Sequence, residues 1–372
     1  MKRYLTIVTA TCLASGAVHA GALDRSGQSV DVLFEEGRHV EFSFAGVSPE
    51  LSGEGVGFTA GVSSGDISPS YFQFGGAYKA DINDTWSYAL IIDQPFLAEV
   101  DYPDGTGYFA AGSNAEFNSV ALTGLLQYNM SNGISVYGGL RLQRTDANAE
   151  ISFTPIASLT GYNVDAESDY GVGYVAGVAY ERPDIALRVS LTYNSEVSHS
   201  NKTTENSVAL GGPNISDTDF ETPQSVNLAF QTGIAPGTLL FGGVRWVDWD
   251  DFDLTPANYQ TLTGGTSLLS YEDDVTTYTL GIGRRLNANW ALAASLGYER
   301  SSGSFFTNLG PSDGQKSIGL AAIYTQGNME ITTGIRYIRI GDTETRAGPV
   351  APAGDFEDND AVAIGVKVAY KF

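Results

Sequence analysis

The last twelve residues, Ala361 to Phe372 (AVAIGVKVAYKF), restrict the fold more than any other stretch of the chain. Side chains of an extended strand alternate between two faces. Val362, Ile364, Val366, Val368, Tyr370 and Phe372 therefore share one face, and Ala363, Gly365, Lys367, Ala369 and Lys371 the other. The first face is wholly apolar and the second is small or cationic. In a water-soluble sandwich the apolar face needs a second sheet or a helical layer over it, and no segment carries a convincing helical pattern. A strand that turns apolar residues to lipid and polar ones to a lumen needs no such cover. The expected fold class is all-β, a transmembrane antiparallel β-barrel in which this strand closes against the first.

Composition narrows the class further. The chain is 42% hydrophobic, yet it has no run of about 20 apolar residues, the length a helix needs to cross a bilayer. Residues 1–20 read as a secretory signal: Lys2 and Arg3, an apolar stretch from Tyr4 to Ala14, and Val18-His19-Ala20 as a small-residue cleavage site. The single cysteine, Cys12, leaves with it, so the mature chain offers no disulfide and no cysteine metal site. With 20 basic and 43 acidic residues the formal charge is -23, and loss of Lys2 and Arg3 deepens it by two. That balance disfavours nucleic acid. Acid is concentrated in loops such as Asp248 to Asp253 and Asp355 to Asp360, which read as solvated outer surface, with bridging by divalent cations to lipid head groups left open.

Along the chain a unit repeats: strand, tight polar turn, strand, long loop. Residues 21–37 are polar and glycine-bearing and are expected as a short N-terminal plug segment; residues 38–372 are expected to form the barrel. Strand one covers His39 to Val47. Hairpins follow around Asp81 to Asp84, Met130 to Gly133, Arg182-Pro183-Asp184, Ala235-Pro236-Gly237, Asn287 to Asn289 and Gln326 to Asn328. In the clearest, Tyr170, Val172, Tyr174, Val178 and Tyr180 precede the turn, and Ile185, Leu187, Val189, Leu191 and Tyr193 follow it. The total is about fourteen strands, an even number, with short turns and both termini on the periplasmic side and long loops outside. Trp86, Trp290, Tyr193 and Tyr298 lie near strand ends, as interfacial aromatics do. The terminal Phe372 after alternating apolar residues is similar to the signal by which bacterial outer-membrane barrels engage their assembly machinery.

Several segments together resemble the FadL/TodX family of outer-membrane transporters for long-chain fatty acids and other hydrophobic compounds. Pro95-Phe96-Leu97 is similar to the family's Pro-Phe-Gly segment, with Leu97 in place of glycine. Asp169 to Tyr174 with Ala176-Gly177, then Leu191 to Ser195, are similar to a Gly/aromatic strand and its successor. Thr222-Pro223 and Trp246-Val247-Asp248-Trp249 are similar to a later hairpin. The resemblance implies a monomeric barrel with a plug, no cofactor, ligand capture at extracellular loops, and lateral release into the membrane through a wall that Pro95 bends. The usual Asn-Pro-Ala segment of the plug is missing here.

A fatty acid needs an apolar groove and a cation. Alternation places Arg141, Arg188, Arg245, Arg285 and Arg336 inside, with Glu41, Asp93, Glu181 and Glu299. These arginines are candidate carboxylate ligands; the alternative is an interior salt-bridge ladder with those acids. Phe96, Leu97, Phe153, Ile156, Leu159 and Tyr162 put more apolar surface in loops than water favours, which fits either ligand capture or loops packed on one another. Catalysis finds no support: His39 faces the lumen, His199 sits in a polar loop from Ser195 to Asn206, and no phosphate loop, dinucleotide fingerprint or zinc spacing is present. The expected function is outer-membrane transport of long-chain fatty acids or similar hydrophobic molecules, with outer-membrane lipid and lipopolysaccharide as surroundings. A general diffusion porin and a structural or adhesive barrel are the alternatives.

Overall fold

The computed structural model describes residues 23–153, 156–347 and 350–372; the expected signal and Cys12 lie outside them. Fourteen strands form a closed antiparallel barrel: β1 (His39–Glu50), β2 (Tyr71–Asp81), β3 (Trp86–Asp93), β4 (Asn114–Asn129), β5 (Ile134–Ile151), β6 (Tyr162–Arg182), β7 (Leu187–Asn194), β8 (Ser225–Ala235), β9 (Thr238–Val247), β10 (Val275–Arg285), β11 (Trp290–Glu299), β12 (Gln315–Gln326), β13 (Met329–Ile340) and β14 (Asp360–Lys371). Each pairs with the next in sequence, and β1 pairs with β14 over its whole length, from His39 opposite Lys371 to Glu50 opposite Asp360. Closure leaves no edge, which a sheet in hydrocarbon requires.

The alternation read from sequence is the one the wall uses. Val362, Ile364, Val366, Val368 and Tyr370 point outward and exposed, while Ala361, Ala363 and Ala369 are buried inside. Short turns join β2–β3, β4–β5, β6–β7, β8–β9, β10–β11 and β12–β13, and aromatic pairs at that end, Trp86 with Tyr128 and Trp290 with Tyr324, each stand 4.9 Å apart. Two of the turns share one device: the side-chain oxygens of Asn83 and Asn287 accept the N–H groups of Trp86 and Trp290 at 3.0 Å.

Three boundaries differ from the sequence reading. Pro183–Ile185 is a helical turn ended by Ala186 in the left-handed region (φ 50°), so β7 starts at Leu187 rather than Ile185. The polar stretch expected as a loop around His199 is a strand, Val197–Asn206, paired with Asn214–Thr222 and, at Thr203 to Asn206, with β6. Its inward positions are polar as well as its outward ones, so apolar alternation gave no signal. Strands β4, β5 and β6 run well beyond the 9–11 residues a bilayer needs and raise this extension on the long-loop side.

Ile364 is exposed on the lipid face near the middle of β14. Changing Ile364→Arg is expected to cost about 2–4 kcal/mol, measurable as the equilibrium folding free energy into lipid vesicles in denaturant.

Candidate functional site

Polar residues line the lumen, and residues 23–37 fill much of it. Val30, Val32 and Leu33 pack on Ala89, Ile91, Leu125, Tyr137 and Val175 of the wall, with Phe34 edge-on to Tyr137 at 5.9 Å. Gly27 and Gln28 both take positive φ, 63° and 52°. For Gln28 that is a costly conformation, and its side chain is fixed by Ser225 (2.8 Å) and Arg245 (3.2 Å).

Two of the predicted arginines hold this segment. Arg245 donates to Asp24 at 2.5 Å, and also to Asn227 and Ser225; both charges of the pair are nearly excluded from solvent. Arg188 lies 3.8 Å from Asp31 and stacks over Phe34 at 4.6 Å. Arg141 is buried and donates to Thr123 at 3.0 Å. Arg285 occupies an inward position at the short-turn end of β10, its backbone N–H on Gly237. Arg336 lines a space of about 590 Å³ among Ala293, Ser295, Ala321 and Ala363. The expected wall-to-wall ladder is thus partly replaced by pairs between the wall and residues 23–37, as where Ser26 donates to Asp93; within the wall Glu41 joins Lys367 at 3.0 Å and His39 at 3.1 Å. Sequence reasoning missed Asp24 and Asp31, because nothing local marks an acid in a polar leader as the partner of an arginine more than 150 residues away.

Beyond residues 23–37 the barrel mouth is apolar. Phe96, Leu97, Phe153, Leu159 and Tyr162 are all buried, and Ile156 packs against them. They are not exposed loop surface; all but Leu97 belong to or pack on one cluster with Phe117, Phe220, Trp249, Phe252 and Tyr271, whose rings meet mostly edge to face at 4.9–6.4 Å. Beside it lies a small apolar cavity walled by Phe117, Ala149, Val164, Phe220, Leu254 and Leu269, with Glu116 its only charged lining residue. A short helix, Ala257–Thr263, roofs this region. Buried Glu205 anchors that helix, accepting the N–H groups of Asn258 (3.0 Å) and Tyr259 (2.7 Å) and the hydroxyl of Tyr162 (2.8 Å).

Pro95 marks a break in the wall. Pairing of β2 with β3 stops at Gly76 opposite Ile92, and Tyr71–Gly75 pair with β1 alone. The side-chain oxygen of Gln94 accepts the stranded N–H of Phe74 at 2.9 Å. From inside, Asp24 forms a single antiparallel bridge with Phe96: Arg25 N–H donates to Pro95 O at 2.8 Å and Leu97 N–H to Leu23 O at 2.9 Å. A cleft of about 1020 Å³ opens there, lined inside by Arg25, Ser29 and Asp93 and outside by Phe44, Phe74 and Ile92. Between this cleft and the apolar cavity lies a space of about 590 Å³ that shares Arg25 with the first and Ala98 and Leu309 with the second.

On the outer loop, Asp248, Asp250 and Asp274 bring one carboxylate oxygen each within 4.8 Å of one another. The hydrogen bond shared with Asp248 and the neighbouring charges hold the Asp250 carboxyl up at about 6. A carboxyl raised on folding stabilises the loop below its ordinary value of 3.8, and that contribution is lost as pH rises through about 6. Protection of the Phe252 amide, which donates to Trp249 O at 3.0 Å, is expected to fall across that window in hydrogen exchange, and Asp250→Asn to flatten the change.

A closed barrel, an internal polar segment, an apolar extracellular cavity and a break in the wall define an outer-membrane channel for hydrophobic compounds. The model of the outer membrane protein transport family OMPP1/FadL/TodX matches residues 36–371, and the chain belongs to that family. Solved structures share the fold. A FadL homologue of Pseudomonas aeruginosa aligns with TM-score 0.75 at 12% identity, covering 97% of this chain and 98% of that one. The toluene transporter TodX of Pseudomonas putida aligns with TM-score 0.65 at 12% identity over 97% of each chain. The toluene transporter TbuX of Ralstonia pickettii gives 0.62 at 14%, covering 91% and 90%. No curated protein sequence matches the chain significantly.

If the Arg245–Asp24 pair fixes the plug, Arg245→Ala and Asp24→Ala are each expected to raise ion conductance in planar bilayers. The double variant is expected to be no leakier than the worse single one, because each single change leaves a buried charge uncompensated, typically by about 3–5 kcal/mol.

Proposed function

We propose that this barrel takes up an uncharged hydrophobic molecule through the extracellular apolar cavity and releases it sideways into the membrane at Pro95. The observation that carries this reading is the division of charge. The cavity beside Phe117 and Phe220 has no cation in its lining, and Arg188 and Arg245 are engaged with Asp31 and Asp24 of residues 23–37. A carboxylate entering the cavity would lose its hydration with no cation to receive it, whereas a neutral hydrocarbon gains about 25 cal/mol for each Å² it buries.

On this reading Phe153, Ile156, Leu159 and Tyr162 support the capture cavity, and Phe96 and Leu97 lead from it to the break. Residues 23–37 act as a plug that excludes the polar solutes a porin would pass. The carboxylate role first expected for Arg141, Arg188, Arg245, Arg285 and Arg336 gives way to tethering the plug and filling the lumen. Export through a signal cleaved after Ala20, insertion by the barrel-assembly machinery through the end of β14 at Phe372, and a monomeric state complete the proposal.

Cells lacking their own hydrophobe transporters and expressing the chain are expected to accumulate labelled toluene in preference to labelled oleate. Ala147→Trp, which fills the cavity, is expected to lower that uptake roughly tenfold, the factor for a packing clash of about 1.4 kcal/mol, while Arg336→Ala leaves it within about twofold. Oleate uptake abolished by Arg336→Ala in a well-assembled barrel would contradict the reading.

A further inference from the structure

The lipid-facing surface carries a charge arrangement that transport does not use. Lys316 on β12 and Arg339 on β13 are direct cross-strand partners, and both point outward and are exposed. Like charges set opposite each other weaken a sheet. Arg300, exposed one residue past β11, shares the outward parity of Tyr298, which is itself the partner of Lys316 on the other side; Arg300 is therefore diagonal to Lys316, within reach of a long side chain. Among the described residues the side chains of Lys316 and Arg300 have no hydrogen-bonding or ion-pair partner. Arg339 pairs with Asp358, and Asp360 accepts the hydroxyl of Tyr337 at 3.0 Å. The uncompensated charge thus faces β11 and β12.

Depth decides what this patch meets. Trp290 opposite Tyr324 marks the short-turn girdle, and Tyr298 opposite Lys316 is eight residues further along the same two strands. At about 3.3 Å per residue and a tilt of about 40°, that row lies about 20 Å nearer the outside, at the upper edge of an apolar band about 25 Å tall. The exposed residues just below, Ile318, Leu320, Ile335 and Tyr337, are those of a lipid-facing wall. A cation at that level stands beside the head groups of the outer leaflet, with acyl chains beneath it.

We propose that Lys316 and Arg300, with Arg339 at their side, form a binding site for the phosphate of an outer-leaflet phosphorylated glycolipid, whose acyl chains lie along Ile318 and Leu320. A phosphate between Lys316 and Arg339 turns an unfavourable cross-strand pair into two charge-assisted contacts. In a chain of formal charge -23, this is an outward cationic patch at the height where an anionic lipid presents its charge.

The full-length mature barrel, purified in mild detergent, is mixed with lipid A and examined by native mass spectrometry, with heat-modifiable gel migration as the check on folding. The parent is expected to retain lipid A, and Lys316→Glu with Arg300→Glu to retain at least about 25-fold less, roughly fivefold for each of the two cations lost. Lys316→Gln with Arg300→Gln, a milder pair, is expected to show the same direction. Dephosphorylated lipid A should not be retained, and inorganic phosphate alone should neither bind nor compete. Equal retention by parent and both variants, or equal retention of the dephosphorylated lipid, would overturn the proposal. Displacement by inorganic phosphate would overturn the lipid assignment in favour of a free-anion site.

Discussion

Every peptide group of a membrane wall must find its partner within the wall, and this constraint organises the molecule. Closure of β1 on β14 over twelve residue pairs meets it at the seam. At Tyr71–Gly75 of β2 neighbouring barrel strands part, and there the protein supplies substitutes: the Gln94 side chain for Phe74 and backbone bonds from residues 23 and 25 for the turn at Pro95. A wall that could have continued its ladder instead breaks beside an apolar cavity. The break is thus structured, and it is covered from within by residues 23–25.

Charge is placed by the same logic. In the lumen, desolvated arginines need compensation; Arg245 finds it in Asp24, and Arg188 in Asp31 as well as in its cross-strand neighbour Glu181. The interior electrostatics therefore hold residues 23–37 in place, while the cavity beside Phe117 and Phe220 is left apolar. Separating the two tasks explains how a strongly acidic chain with a polar lumen can belong to a family that transports hydrophobic compounds.

The strands and short turns were legible in the sequence because lipid and lumen impose opposite preferences on alternate residues, as in Tyr170 to Tyr180 or Val362 to Phe372. Val197–Asn206 was not legible: above the membrane both faces are polar, with Asn201 and Thr203 buried and Ser200 and Lys202 exposed, so the period vanished. Phe153 and Tyr162 announced themselves as too apolar for a loop. Their burial with Trp249 and Phe252 depended on segments about 90 residues away, which local pattern cannot report. The arginines were correctly placed inside by parity, yet parity says nothing about which acid lies opposite across the lumen.

The central claim is that the ligand resides in the apolar cavity and not beside the lumen arginines. Crystals of the barrel soaked with a brominated aromatic hydrocarbon locate the ligand directly through the anomalous scattering of bromine. The account predicts a bromine peak between Phe117 and Phe220, with the Arg245–Asp24 contact intact. A peak beside Arg188 or Arg245, with Asp24 or Asp31 displaced, would contradict it.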